Sequence, residues 1–287
     1  MKLALGTAQF GLDYGIANTA GKVASGEVCR ILQLARKHGI RTLDTAAAYG
    51  NSEKVLGKVG VGDFEVVTKV PPIPAGVGCI STWAKQSIEM SFKALKVDTL
   101  SALLLHRPMQ LFDEGGEALY KAVQSLKSEG RVEKIGVSIY EPKELDTLLS
   151  HYHFDLVQAP FNLMDRRLLS SGWLDELNRR GVEVHARSVF LQGLLLMRPE
   201  DRPAYFRPWA SQLALYDSWL AEENIDAVRA SLAFACQQND IQRVVVGVQS
   251  APQLAELIAS MPRTELTFPY ALEVEDEGLI NPARWIL

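Results

Sequence analysis

Cysteine is scarce in this chain: Cys29, Cys79 and Cys236 are its only three among 287 residues. An odd count without paired spacing supports neither a disulfide framework nor a thiolate zinc site, and it predicts a reducing, cytoplasmic setting. Excess positive charge is lacking too. The formal net charge is −4, which argues against nucleic acid as a partner, because a phosphate backbone asks for a basic stripe. A phosphorylated cofactor needs only local donors and stays admissible. The five histidines (His38, His106, His151, His153 and His185) include no i, i+4 pair, so no metal site is expected. No apolar run approaches the ~20 residues that span a bilayer, and Gly and polar residues interrupt the first stretch before a signal core can form. No membrane partner is expected, and no oligomeric state is assigned. A Pro/Ser-rich linker is missing as well, so residues 1–287 read as one domain with a tail over about 262–287.

What is present is a repeat of short runs rich in Val, Leu and Ile, each followed by a polar loop and a stretch of helical spacing. Strands are predicted at Leu3–Thr7, Thr42–Asp44, Glu65–Lys69, Leu100–His106, Lys134–Ser138, Leu156–Gln158, Glu183–Arg187 and Arg243–Gly247. Such continuous apolar runs suit a parallel sheet covered on both faces. Val28, Ile31, Leu32 and Ala35 form one helical stripe, Ile88, Phe92 and Leu95 another, and Leu119, Val123 and Leu126 a third. Gly39 and Gly130 fall where a left-handed residue ends a helix, and Ser250-Ala251-Pro252-Gln253 reads as a capping box. Eight alternations predict an α/β fold, a single (β/α)8 TIM barrel, rather than two doubly wound sheets. The irregular stretch from Phe190 to about Asn224, with Pro199, Pro203 and Pro208, reads either as a belt over a ligand or as an excursion without a role.

A barrel of this kind carries its active site at the C-terminal mouth, so polar residues that end strands are the candidates. Taken alone, Asp44 is a loop-fixing carboxylate, His106 a structural histidine and Tyr49 a packing aromatic. Lys69 closing a buried strand is harder to dismiss, because an unpaired inward ammonium costs several kcal/mol and needs an anion nearby. Together, on adjacent strands and at one barrel end, the four are hard to explain as coincidence.

The pattern Asp44-x4-Tyr49-Gly50-x-Ser52-Glu53, followed by Lys69 and His106, resembles the active-site tetrad of the aldo-keto reductase superfamily, in the family's order. Leu5-Gly6-Thr7, the Gly130–Ser138 segment and Val157-Gln158 extend the resemblance over nearly the whole chain. It implies a nicotinamide-dependent oxidoreductase that interconverts a small aldehyde or ketone, sugar-derived ones included, and its alcohol. Tyr49 would donate the proton, Lys69 would lower its pKa, Asp44 would hold Lys69, and His106 would orient the carbonyl oxygen.

The resemblance also places a cofactor. Ser138 and Gln158 would meet the nicotinamide carboxamide, with Ile139 standing where the family usually has asparagine. Arg187 occupies the position of the usual stacking aromatic, and a salt bridge at the rim is its structural alternative. Ser188, Leu191, Gln192, Gly193 and Leu194 would wrap the pyrophosphate. Gly247, Ser250, Gln253 and Glu256 would meet the adenosine end, which carries no Lys or Arg. NADP(H) is the family default and NAD(H) remains open. Phe10, Tyr14, Met109, Phe161 and Asn162 are the expected substrate contacts. Trp285 is expected to anchor the tail or to reach the pocket rim. Two rival readings are a nicotinamide-binding regulatory protein of the same fold and a barrel lyase using Lys69 as a Schiff base.

Overall fold

A computed structural model describes residues 1–262 and 264–286. Eight parallel strands close into a barrel in sequence order: β1 (Leu3–Gly6), β2 (Thr42–Asp44), β3 (Glu65–Val70), β4 (Leu100–Leu105), β5 (Val132–Ser138), β6 (Leu156–Pro160), β7 (Glu183–Arg187) and β8 (Arg243–Gly247). Closure comes from β8 pairing with β1 through Leu3↔Val244 to Gly6↔Gly247. All eight strands lie where the apolar runs predict them, with ends shifted by two residues at most. The three helical stripes are buried within helices Ser25–Lys37, Ile80–Leu95 and Gly116–Ser128. Gly39 and Gly130 both take positive φ behind their helices. Ser250 caps Ala251–Ala259 by accepting from the Gln253 N–H, while the Gln253 side chain reaches back to the Gln249 N–H.

Strand periodicity sorts the barrel interior. Side chains two apart share a face, so the inward set on β7 is Glu183, His185 and Arg187, and on β3 it is Glu65, Val67 and Lys69. Repeated around the barrel, this gives three levels. At the N-terminal end Thr42, Glu65, Lys134, Glu183, His185 and Arg243 line a polar cavity. Val67, Ala102, Leu104 and Leu156 form an apolar plug above it. The C-terminal level carries Asp44, Lys69, His106, Ser138, Gln158 and Arg187.

The stretch after β7 has two parts. Residues Leu191–Leu196 form a tight turn against the mouth. Beyond it the chain adds a helix, Ala210–Glu222, pinned by the fully buried Tyr216, whose hydroxyl donates to the Leu195 carbonyl. In the tail, Trp285 packs edge-on against Phe206 and donates its indole N–H to Leu279. It therefore anchors the tail, while Ile286 stands exposed. No helix among the described residues is long and apolar enough to cross a membrane.

Candidate active site

The loop after β2 is built to hold Tyr49. Ser52 donates to the Thr7 carbonyl and to Thr7 Oγ1, both at 2.9 Å, and Thr45 Oγ1 lies 3.2 Å from Ser52 Oγ. Glu53 accepts from Thr68 on β3 at 2.6 Å. Gly11 and Gly50 let two backbones touch: a Cβ on Gly11 would overlap the Tyr49 carbonyl, and one on Gly50, at φ 57°, would strike the Gly11 carbonyl. The Tyr-Gly-x-Ser-Glu run is thus a scaffold around one phenol.

Behind the phenol lies a sealed ion pair. Lys69 Nζ donates to Asp44 Oδ1 at 2.7 Å and to the Thr45 carbonyl at 2.9 Å. Both side chains are excluded from solvent, at 0% and 4% exposure. Gln158 donates to the other carboxylate oxygen at 2.6 Å, and Ser138 donates to Gln158 Oε1 at 3.3 Å. The ammonium lies 5.2 Å from the centre of the Tyr49 ring, and the His106 ring meets Tyr49 edge-on at 5.9 Å.

Three charge states follow from burial. Burial lowers the Lys69 ammonium, and the Asp44 carboxylate beside it opposes that shift. Burial pushes His106 down to about 4, assisted by the positive charges of Lys69 and Arg187, so its ring is neutral at pH 7. The Tyr49 phenol is pushed up, first by burial and then by the Asp44 charge, against a smaller opposing effect of Arg187. The net shift is thus upward where a lowering by Lys69 was expected, because burial and the Asp44 carboxylate both act against it.

The depressed histidine has a measurable consequence. Between its ordinary value of 6.5 and about 4, the unfolded chain binds a proton at His106 that the folded chain does not. Stability from this group is full above pH 6.5 and falls as pH drops towards 4. Urea midpoints for His106→Gln should therefore decline less between pH 7 and pH 4.5 than those of wild type, and parallel declines would contradict the assignment.

One cavity, about 350 Å³, unites Asp44, Tyr49 and His106 with Ser138, Arg187, Ser188, Gln192, Gly193, Gly247, Gln253 and Glu256. Its size lies within the usual range for small-molecule sites. Several expected residues sit elsewhere. Leu191 and Leu194 are fully buried, so only their backbone is near the turn. Gln158 is buried behind Ser138, and Ser250 serves as the helix cap. Of the expected substrate contacts, only Tyr14 lines the cavity. Phe10 is turned into the core by the short helix Ala8–Gly11, where burying its ring contributes roughly 1.5–3 kcal/mol. Phe161 stacks on Phe234 at 4.9 Å, also in the core. Asn162 is a buried clamp that donates to the Ser188 carbonyl and accepts from the N–H groups of Met164 and Asp165. Met109 is 40% exposed on the outer surface of the turn Pro108–Phe112.

The clamp matters because the chain after β7 is strained. Ser188, Leu191 and Gln192 all take positive φ, and Gly193 follows at 97°. Non-glycine residues in that region cost of order 1–3 kcal/mol each, and such costs concentrate at ligand sites. The Gln192 carbonyl accepts from the Ile16 N–H at 3.1 Å, so the loop after β1 joins this wall.

The cavity also has lining residues that were not expected, Tyr140 and Gln9 among them. Tyr140 lies two positions beyond Ser138, so the inward period of β5 points to it. Gln9 packs against Gly247, where a Cβ would collide with its amide. Arg187 forms no rim salt bridge among the described residues. Instead its guanidinium stacks on Tyr140 at 4.7 Å and donates to the Ile139 carbonyl at 2.9 Å. The two departures from the family pattern, Ile139 and Arg187, are therefore in contact.

The chain is similar to several known proteins. The chain is 25% identical over 295 residues to an L-galactose dehydrogenase of Arabidopsis thaliana, covering 94% of this chain and 89% of the relative. It is 27% identical over 303 residues to an L-glyceraldehyde 3-phosphate reductase of Escherichia coli O157:H7, covering 90% and 85%. The fold matches that of the holo form of an aldo-keto reductase from Bacillus halodurans with a TM-score of 0.75 at 21% identity, covering 96% and 95% of the two chains. The sequence pattern of the aldo/keto reductase family matches residues 2–268, and the chain belongs to that family, an oxidoreductase acting on carbonyl and CH–OH groups.

Proposed function

We propose that the chain reduces a small aldehyde or ketone with a nicotinamide dinucleotide, Tyr49 giving the proton to the carbonyl oxygen. The observation that carries this reading is the solvent-excluded Asp44–Lys69 pair, whose ammonium stands 5.2 Å from the Tyr49 ring. The names of the two relatives, one acting on a sugar and one on a sugar phosphate, favour a sugar-derived carbonyl.

The cavity residues fit such a cofactor: a strained turn at Ser188–Gly193 on one wall, a glycine at the end of β8, and hydroxyl and amide groups between them. When bound, the nicotinamide supplies the hydride. The chain supplies the rest. A phenol held up by burial keeps its proton at neutral pH and is loaded as an acid. As the proton leaves, the phenolate forms beside an ammonium that Asp44 and the Thr45 carbonyl hold in place, so the charge is met without reorganisation. Neutral His106 offers a ring N–H to the carbonyl oxygen. Ser138 would take the carboxamide, with Gln158 fixing its direction from behind. Ser188, Gln192 and Gly193, with the backbone of Leu191 and Leu194, would cradle the pyrophosphate. Gly247, Gln253 and Glu256, with Ser250 at the helix cap, would face the adenosine. Three free thiols support a reducing, cytoplasmic setting.

Family members generally use NADP(H), but among the described residues Arg187 is the sole Lys or Arg lining this cavity. Glu256 adds a carboxylate near the adenosine end, which a 2′-phosphate would not favour. Without charge-assisted contacts, discrimination should be small. Fluorescence titration should give Kd values for NADPH and NADH within about tenfold of each other, and oxidation of either should follow addition of an aldehyde panel. No turnover with any aldehyde and either cofactor would reject the reductase reading.

A further inference from the structure

Arg187 is a cation at the cavity with no carboxylate partner among the described residues. On the inward face of β7, Glu183 is engaged by Lys134 and by His185. Asp44 is engaged by Lys69 and Gln158. Glu256, the remaining carboxylate of the cavity wall, makes no ion pair with Arg187. A half-buried guanidinium in this state lacks a counter-charge, and its cation–π contact with Tyr140 offsets only part of the cost of burial.

The side chain is nonetheless fixed in place. Nη2 donates to the Ile139 carbonyl at 2.9 Å and Nη1 to Ser188 Oγ at 3.1 Å, with Tyr140 against one face. A guanidinium carries five N–H donors, and the others have no protein acceptor among the described residues. Its position is at the reacting end: its charge is felt by Tyr49, Tyr14, Lys69 and His106 alike.

Resting on the reductase reading above, we propose that Arg187 is the specificity residue for carbonyl substrates that carry an anionic group, phosphate or carboxylate. A fork of donors held open beside the proton donor matches a bidentate oxyanion. A site built around such a charge penalises the neutral isostere by leaving the guanidinium unpaired.

The test compares two substrate pairs on cofactor-loaded enzyme: glyceraldehyde 3-phosphate against glyceraldehyde, and succinic semialdehyde against butanal. Wild type should favour the anionic member of at least one pair by about 10- to 100-fold in kcat/KM, the range of a charge-assisted hydrogen bond. The pair that responds distinguishes phosphate from carboxylate. Arg187→Gln should erase the preference, lowering kcat/KM for the anionic member of the pair by about 10- to 100-fold more than for the neutral member, which reports any loss the variant causes at the cofactor or at Tyr49. Arg187→Lys should keep part of it. Equal treatment of neutral and anionic substrates by wild type overturns the proposal. So does a parallel loss on both with the Gln variant, since Arg187 would then serve the cofactor or Tyr49. If none of the four aldehydes is reduced, the reductase reading is judged on the wider aldehyde panel above, and calorimetric titration of inorganic phosphate and of succinate still decides the anion site. Binding to wild type and not to Arg187→Gln would uphold it; equal or absent binding would not.

Discussion

Tyr49→Phe is expected to lower the single-turnover rate of carbonyl reduction by about 10²- to 10⁴-fold, the usual range for losing a positioned proton donor. Single turnover is the right readout, because slow release of product or cofactor would hide part of the loss in kcat. Little else should change. The hydroxyl faces the cavity and makes no hydrogen bond to the described residues, so its removal leaves no protein donor or acceptor unsatisfied. The ring stays, and with it the contacts to His106 and to the Lys69 ammonium. Unfolding stability should remain within about 1 kcal/mol of wild type, and the cofactor Kd within about threefold. A variant that keeps more than a tenth of the wild-type rate would remove Tyr49 from its role. A variant that is slow but also unfolded or unable to bind cofactor would not count in its favour.

Why so much of this site could be read in advance follows from the barrel itself. A strand buried on both faces alternates between helix-facing and interior positions, and the last interior residue of each strand must reach the mouth. Asp44, Lys69, Ser138, Gln158 and Arg187 stand at those positions by parity alone, and His106 follows β4 by one step. The same parity leads from Ser138 to Tyr140, which was legible and missed. Loops obey no such rule. Phe10, Phe161 and Asn162 lie just beyond strand ends, yet a helical turn, an aromatic stack and a side-chain clamp turn each away from the cavity. The chain from Ser188 to Gly193 escaped a conformational reading for a related reason. Its positive-φ residues include Leu191 and Gln192, types that carry no turn signal, and tertiary contacts to Ile16 and Asn162 hold them there. The phenol's charge state could not be inferred from proximity to a lysine, because it depends first on burial and then on the nearby Asp44 charge.

Lys69→Met should produce the largest loss of stability, about 3–5 kcal/mol, the cost of stripping one member from a buried ion pair. Asp44 would keep its bond from Gln158, but a carboxylate at this depth would have lost its counter-ion. The physical origin predicts a rescue. In Asp44→Asn/Lys69→Met the remaining charge is gone, the amide can still meet Gln158, and most of the lost stability should return, because replacing both members of a buried pair is often close to neutral. Activity should not return with it. The phenolate formed during reduction would have no cation beside it, and the single-turnover rate should stay at least about 100-fold below wild type. Urea unfolding and single-turnover reduction on the same three proteins separate the two effects. If the double variant regains activity along with stability, the pair is a packing device and the proton transfer needs another source of stabilisation. If Lys69→Met is as stable as wild type, the ammonium was never committed to Asp44, and the electrostatic account of Tyr49 fails with it.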